Sequence, residues 1–189
     1  MKTIEQKPNG PTKKLSPVVE RFVLHWGEMG THWGVNRSVA QIHALLYVNG
    51  TPITAEEISE ILGMARSNVS NSLKELLAWE LIRRVHVMGD RRDHFEAEAD
   101  LWEMLRHIAE GRKKREIDPT IDVMNRCVED AKKDKTVTPV AKDRINEMRD
   151  FITTMDQWYT EMANVPQSKI FAMMKMGRTI LKFVKGGSK

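Results

Sequence analysis

The feature that constrains the fold most is a pair of helical segments within residues 53–80. Thr54 and Glu57 have the spacing of a capping box, in which both side chains accept hydrogen bonds from free backbone amides at a helix start. Gly63 can adopt the left-handed conformation that ends this first helix. A second helix is predicted over residues 66–80, and its apolar residues recur at helical spacing: Val69, Leu73, Leu76 and Leu77. The pattern predicts two helices joined by a tight turn.

The residues that follow the second helix are typical of a β-hairpin. Residues 81–87 favour a strand, Gly89-Asp90 is a turn signal, and residues 94–97 can return as a second strand. We expect this to be the only strand-like part of the chain. Helix, turn, helix and hairpin in this order predict a mainly α fold, a winged helix-turn-helix with a small β-hairpin wing over residues 83–96. Ala65 departs from the pattern, because a serine or threonine cap would normally start the second helix.

The outward face of the second helix is rich in polar groups without a carboxylate. With Val69 and Leu73 inward, the residues left for the exposed side are Arg66, Ser67, Asn68, Ser70, Asn71 and Lys74. Arginine and asparagine can read base edges in the major groove, and serine and lysine can reach phosphates. The alternative is a solvated face on a helix-turn-helix that serves only for packing.

The predicted wing tip places Arg91 and Arg92 in a turn, where a guanidinium can enter the minor groove or bind phosphate. Asp90 or Asp93 could hold one arginine extended. The alternative is a solvated turn with local ion pairs, which contribute little.

The remaining chain divides into segments of different composition. Residues 1–14 are predicted to be a flexible tail, and residues 15–99 the winged helix-turn-helix domain. A first helix is expected from about Leu15 until Gly30 and Gly34 interrupt it, and a second from about Ser38 to residues 49–50. Residues 100–118 are expected to be a linking helix and residues 119–189 a helical dimerisation region.

Two start signals and one apolar seam shape this C-terminal region. Asp118-Pro119 and Thr138-Pro139 each combine an N-cap residue with a proline, which predicts two helix starts. The second helix carries apolar residues at alternating steps of three and four: Ile145, Met148, Ile152, Met155, Tyr159 and Met162. Such a seam is typical of a helix that packs on a partner helix, and a homodimer is the predicted assembly. Core packing within one subunit is the alternative.

Composition argues against most other classes. The single cysteine, Cys127, cannot form an internal disulfide, and the absence of a long apolar stretch or signal-peptide pattern predicts a soluble cytoplasmic protein without membrane attachment. The six histidines are scattered, no phosphate loop or nucleophile motif is present, and we expect no metal, cofactor or enzymatic activity. The net charge of +4 permits a nucleic-acid partner without requiring one.

Residues 53–76, with Trp79-Glu80-Leu81-Ile82 and Asp90-Arg91-Arg92, resemble the MarR superfamily. The stretches Trp26-Gly27-Glu28-Met29-Gly30 and Gly34-Val35-Asn36-Arg37 resemble its GbsR branch, which includes regulators of choline and glycine-betaine genes. The resemblance covers about residues 15–100. It implies a dimeric repressor whose recognition helix enters the major groove and whose wing pattern Asp-x-Arg maps to Asp90 and Arg92.

The expected function is therefore sequence-specific binding of double-stranded DNA at an imperfect palindrome. We expect base contacts from Arg66, Asn68 and Asn71, phosphate contacts from Ser67, Ser70, Lys74 and Arg91, and a minor-groove contact from Arg92. The five tryptophans could cage a quaternary ammonium effector such as choline or betaine, although dispersed tryptophans more often pack in cores and interfaces. The alternative function is a protein-binding winged-helix adaptor or structural subunit without DNA specificity.

Overall fold

Helices make up most of the chain, and three short strands form one small sheet. The computed structural model describes residues 15–186, with side chains to Gly177, so the predicted tail 1–14 lies outside it. The elements are α1 (Pro17–His32), α2 (Arg37–Asn49), β1 (Ile53–Thr54), α3 (Ala55–Leu62), α4 (Arg66–Ala78), β2 (Ile82–Val85), β3 (His94–Ala97), α5 (Leu101–Arg112), a π-helical turn (Lys113–Ile117), α6 (Asp118–Lys133), α7 (Pro139–Ala163) and α8 (Gln167–Gly186).

The chain separates into two compact units between Ile108 and Ala109, within the segment predicted to link them. The first unit is built around α2, which packs against α1, α3 and α4. Its core consists of apolar side chains from these helices and from the sheet, among them Val23, Ile42, Leu45, Ile58, Val69, Leu76 and Phe95. This order of three helices, a further helix and an antiparallel hairpin is the predicted winged helix-turn-helix. No helix within residues 15–186 is long and apolar enough to cross a bilayer.

The sheet contains a strand, β1, that the sequence pattern did not predict. Its order is β1-β3-β2, all antiparallel, so the expectation that residues 81–97 hold the only strand is wrong. In β1, Ile53 lies opposite Phe95 and Thr54 lies opposite His94. Two residues are too few for a periodic signal, and Thr54 reads in sequence only as a helix cap. In the structure this buried threonine does both, and it joins the start of α3 to the base of the wing.

Gly30 does not interrupt the first helix, contrary to the prediction. The helix α1 continues to His32, and Gly30 is buried within it. A Cβ atom at Gly30 would lie 2.5 Å from the Cβ of Ala40 in α2, and one at Gly27 would lie 2.5 Å from Cγ of Gln41. Two glycines thus allow α1 and α2 to approach closely. Gly34 lies beyond the helix end with φ +75, in the left-handed region that the turn requires.

The termini of α4 agree in part with the prediction. Ala65 precedes the helix without a side-chain cap, as expected. The helix ends at Ala78 rather than Glu80, because Glu80 adopts a left-handed φ of 57 and turns the chain towards β2. The carbonyl of Glu80 accepts a hydrogen bond of 2.7 Å from Nδ1 of His107.

The second unit corrects one predicted helix start. Asp118 is not an N-cap, because the helical chain runs without a break from the π-helical turn into α6. Its carboxylate instead lies 2.5 Å from Nζ of Lys113, which also contacts Asp156 of α7 at 2.6 Å. These two carboxylates raise the pKa of Lys113, Asp118 more than Asp156. Thr138 does cap α7, and its Oγ1 accepts from the amide of Ala141 at 3.2 Å.

The predicted apolar seam of α7 is divided between two environments. Ile145, Ile152 and Tyr159 recur every seven residues and are half-buried, and α7 packs against α6 within this unit. Met148 and Met155 are exposed, together with Phe151 and Trp158. Met162 is also partly buried, so four of the six seam residues are partly covered within the subunit, and Met148 and Met155 face solvent within the part of the chain that the structure describes.

His43 makes the stability of the first unit depend on pH. This side chain is only 5% exposed, its Nε2 has no hydrogen-bond partner among the described residues, and burial lowers its pKa from 6.5 to about 4. Between these two pKa values, His43 is protonated in the unfolded chain and neutral in the folded chain. The contribution of His43 to the free energy of unfolding is fully present above pH 6.5. It is lost as the pH drops towards 4, and the loss reaches about 3 kcal/mol.

We predict that His43→Leu removes this part of the pH dependence. Urea unfolding of both proteins between pH 4 and 7 measures it. The matched control is His25→Leu, since His25 is exposed on α1. Equal pH dependence in wild type and His43→Leu would contradict the prediction.

Candidate nucleic-acid interface

The outward face of α4 is the largest group of candidate functional residues. Burial of Val69, Leu73 and Leu76 turns the opposite side of the helix to solvent. The structure places all six predicted residues there, each exposed: Arg66, Ser67, Asn68, Ser70, Asn71 and Lys74. An exposed, hydrogen-bonding helix face without a carboxylate is suited to base edges and phosphates.

The turn before α4 is fixed by hydrogen bonds of α3. Glu57 Oε2 accepts from the amide of Thr54 at 2.7 Å and from its hydroxyl at 2.9 Å, and Thr54 Oγ1 accepts from the amide of Glu57 at 3.3 Å. Gly63 ends α3 in the left-handed conformation. Ser59 then donates its hydroxyl proton to the carbonyl of Met64 at 2.7 Å, which holds the turn against α3. The capping box fixes the start of α3, and the Gly63 and Ser59–Met64 contacts fix the turn from which α4 begins.

Asn68 has a contact that the sequence did not indicate. Its Nδ2 donates to Oγ of Ser38, in the first turn of α2, at 2.8 Å. Ser38 lies 30 positions earlier in the chain, so no local pattern could have found it. In the free protein this bond holds the Asn68 amide towards α2, and DNA would have to compete for one of its donors.

The wing tip is organised around the carboxylate of Asp90. Arg92 donates to it from the backbone amide and from Nε, each at 3.0 Å, and from Nη2 as well. Chiefly because of the hydrogen bonds from the Arg92 side chain and amide, the pKa of Asp90 lies well below its usual range. Of the two candidates considered for this role, Asp90 is therefore the one that contacts Arg92. The guanidinium of Arg92 nevertheless remains about half exposed.

His94 connects the wing tip to the sheet. Its ring is buried in β3, Nδ1 donates to the carbonyl of Arg92 at 3.0 Å, and Nε2 lies 3.6 Å from Oδ2 of Asp90. Thr54 in β1 and Val85 in β2 are its neighbours across the sheet. The position of Arg92 is thus set by residues that belong to the fold of the first unit.

The wing and α4 line one cleft. Ser70 and Lys74 lie on the α4 side, and Arg92 and Asp93 on the wing side. Arg84 of β2 also lines this cleft and is not among the site residues predicted from the sequence. The alternation of side chains along a strand separates Arg84 from Arg83, but only the register of the sheet decides which of the two faces α4. Arg83 instead pairs with Glu96, Nε to Oε1 at 2.6 Å.

The charges of this surface are unevenly paired. Arg83, Arg84 and Arg92 each have a carboxylate partner. Among the side chains that the structure describes, residues 15–177, no ion pair involves Arg66 or Lys74 of α4 or Arg91 of the wing. These unneutralised cations are available to an anionic partner.

Other kinds of site have less support. The described residues contain no group of three or more histidine, cysteine, aspartate or glutamate side chains arranged to hold a metal ion. The tryptophans have different environments. Trp26 stacks on Phe22, with ring centroids 5.6 Å apart. Trp26 and Trp79 pack against the core, whereas Trp33 and Trp158 are more than half exposed.

A helix-turn-helix whose second helix and wing line the same cleft defines a winged-helix domain of the kind that binds nucleic acid. The comparison with known families agrees, because the sequence profile of the MarR family matches residues 33–93. This segment, which runs from the end of α1 to the wing, is therefore similar to MarR-family winged-helix domains.

Individual proteins extend the similarity along the chain. YvaV of Bacillus subtilis (strain 168), whose name places it among HTH-type transcriptional regulators, is 21% identical over 73% of this chain and 79% of its own length. The HTH-type transcriptional repressor OpcR of the same organism is 21% identical over 67% of this chain and 68% of its own. A crystal structure of a transcriptional regulator has the same fold, with a TM-score of 0.62 and 19% identity over 78% of this chain and 96% of that one.

Proposed function

We propose that this protein is a sequence-specific, DNA-binding transcriptional regulator without catalytic activity. The observation that carries the proposal is the cleft between α4 and the wing, where exposed polar and basic side chains of both elements meet. The MarR-family match over residues 33–93 supports the same function, as do two relatives named as transcriptional regulators.

In the proposed complex, α4 enters the major groove and the wing enters the adjacent minor groove. Arg66, Asn68 and Asn71 contact base edges, and Ser67, Ser70, Lys74 and Arg91 contact phosphates. Arg92 enters the minor groove, where a guanidinium meets a strongly negative potential. Asp90 and His94 hold this arginine in place, so little side-chain entropy is lost when it binds.

The proposed assembly is a homodimer formed by the helical region 119–189. Its support is an exposed apolar stripe on α7, hereafter the α7 stripe: Met148, Phe151, Met155 and Trp158. Steps of three and four place these residues on one side of the helix, and Phe151 and Trp158 are 64% and 58% exposed. Large exposed apolar patches are typical of interaction sites. Two-fold symmetry then requires an imperfectly palindromic operator with half-site centres about 34 Å apart.

The finer functional assignment is a repressor of the GbsR-like branch. One relative of this chain is named as a repressor. The glycines of the Trp26–Gly30 stretch, on which the resemblance to that branch depends, are the ones that allow α1 and α2 to approach. Occupancy of an operator would exclude the transcription machinery, and segment 100–118 would transmit an effector signal to α4.

The proposed effector carries a quaternary ammonium group, as choline and betaine do. Trp33 presents an exposed indole beside the end of α1, and such a ring attracts cations.

We predict that millimolar choline or betaine raises the melting temperature of the protein and quenches its tryptophan fluorescence. Urea at the same concentration is the control, and the absence of both responses would contradict this effector class.

Site selection from random duplexes tests the main proposal. We predict that wild-type protein enriches an imperfect palindrome. Arg92→Ala should weaken binding to that palindrome by about 1–3 kcal/mol without a change in circular dichroism, because it removes the minor-groove contact. Arg21→Ala serves as the matched control, because it removes an equal charge from an exposed position on α1. This variant should bind like wild type. A selection that enriches no sequence would contradict the proposal.

Analytical ultracentrifugation tests the assembly. Wild-type protein should sediment at about twice the chain mass of 21.8 kDa. Phe151→Glu combined with Trp158→Glu should sediment as a monomer, because a dimer would bury these charges. Gln157→Glu adds a charge beside the stripe and should remain dimeric. A monomeric wild type would contradict the homodimer and favour an adaptor that offers the stripe to another protein.

A further inference from the structure

We propose that Arg84 binds a DNA phosphate. In the free protein Arg84 pairs with Asp93, and the phosphate replaces Asp93 when DNA binds. The inference rests on the proposed DNA-binding function and adds to it a contact outside both the recognition helix and the wing tip. The two arginines of β2 provide the evidence, because they are adjacent in sequence and have different environments.

Arg83 and Arg84 project to opposite sides of β2, since side chains alternate along a strand. Arg83 lies opposite Glu96 in the sheet and pairs with it at 2.6 Å. Arg84 lies opposite Phe95, and both side chains line the cleft beside Ser70 and Lys74 of α4. Of these two arginines, only Arg84 faces the recognition helix.

The position of the cleft identifies the part of DNA that would face it. The sugar-phosphate backbone of one strand separates the major groove from the adjacent minor groove. A protein that places α4 in one groove and the wing in the other must receive that backbone between the two elements. Arg84 lies between them, so the chemical group that approaches it is a phosphate.

The partner of Arg84 can be displaced. Nη1 of Arg84 lies 3.6 Å from Oδ2 of Asp93, and the two side chains are 55% and 52% exposed. An exposed ion pair of this length contributes little to stability. A phosphate offers the guanidinium two oxygens in a geometry that a fork of N–H donors matches. Replacement of the Asp93 carboxylate by a DNA phosphate is therefore favourable for Arg84. By contrast, Asp90 holds Arg92 through several hydrogen bonds.

The local charge balance makes Asp93 an opposing group. The cleft is lined by the cations Lys74, Arg84 and Arg92 and by the carboxylates Glu56 and Asp93. A phosphate that enters the cleft is repelled by Asp93, whose charge the Arg84 guanidinium neutralises in the free protein. Removal of this carboxylate charge should leave Arg84 free for DNA and strengthen binding.

Fluorescence anisotropy with the selected operator and an unrelated duplex, each titrated with salt, tests the inference. Arg84→Gln should weaken binding to both duplexes by about 5–20-fold and reduce the slope of log K against log salt by about one, as expected for one lost phosphate contact. Arg83→Gln is the matched control: it removes the same charge from the neighbouring position, and its slope should equal that of wild type. Asp93→Asn should strengthen binding to both duplexes by about 2–5-fold.

The double variant Arg84→Gln, Asp93→Asn separates a phosphate contact from mere neutralisation of Asp93. If Arg84 binds phosphate, its loss still weakens binding in the Asp93→Asn background. If binding is unchanged there, or if Arg84→Gln behaves like Arg83→Gln, the inference is wrong although the protein binds DNA. If wild-type protein binds neither duplex, the proposed function and this inference both fail. Thermal melting of each variant should match wild type, since all three positions lie at the surface.

Discussion

Burial of one face of α4 is the contact on which the interface depends. Val69, Leu73 and Leu76 are each at most 3% exposed, and α2 is the helix against which α4 packs most extensively. Burial of such a side chain contributes about 1.5–3 kcal/mol, so rotation of α4 about its axis is strongly opposed. The polar face from Arg66 to Lys74 is exposed because the apolar face is held, and it needs no contacts of its own to be oriented.

The sheet extends this control to the wing. Thr54 caps α3 and pairs with His94, and His94 holds the carbonyl of Arg92 and approaches Asp90. A single set of contacts therefore connects the start of the helix-turn-helix to the wing tip. The arrangement holds the guanidinium of Arg92 on the wing side of the cleft, opposite Ser70 and Lys74 of α4.

The sequence predicted the elements whose signals are local, and missed those that depend on packing. The capping box at Thr54, the left-handed Gly63, the uncapped Ala65 and the hairpin were all recognisable from short patterns. Gly30 was misread because a glycine that interrupts a helix and one that admits a neighbouring helix look alike until Ala40 is placed beside it. Asp118 was misread for a similar reason: its partner, Lys113, is visible only once the π-helical turn is formed. The contacts of Arg84 and Ser38 likewise depend on register and on tertiary packing.

The most direct test is to measure, by fluorescence anisotropy at several salt concentrations, how tightly wild-type protein binds DNA from upstream of its own gene. Duplexes of equal length and unrelated sequence serve as the control. The account predicts nanomolar binding to the cognate DNA, far weaker binding to the control, and a steep loss of affinity as salt rises, because Lys and Arg contacts to phosphate release counterions. Weak binding that is equal on both duplexes and insensitive to salt would contradict it.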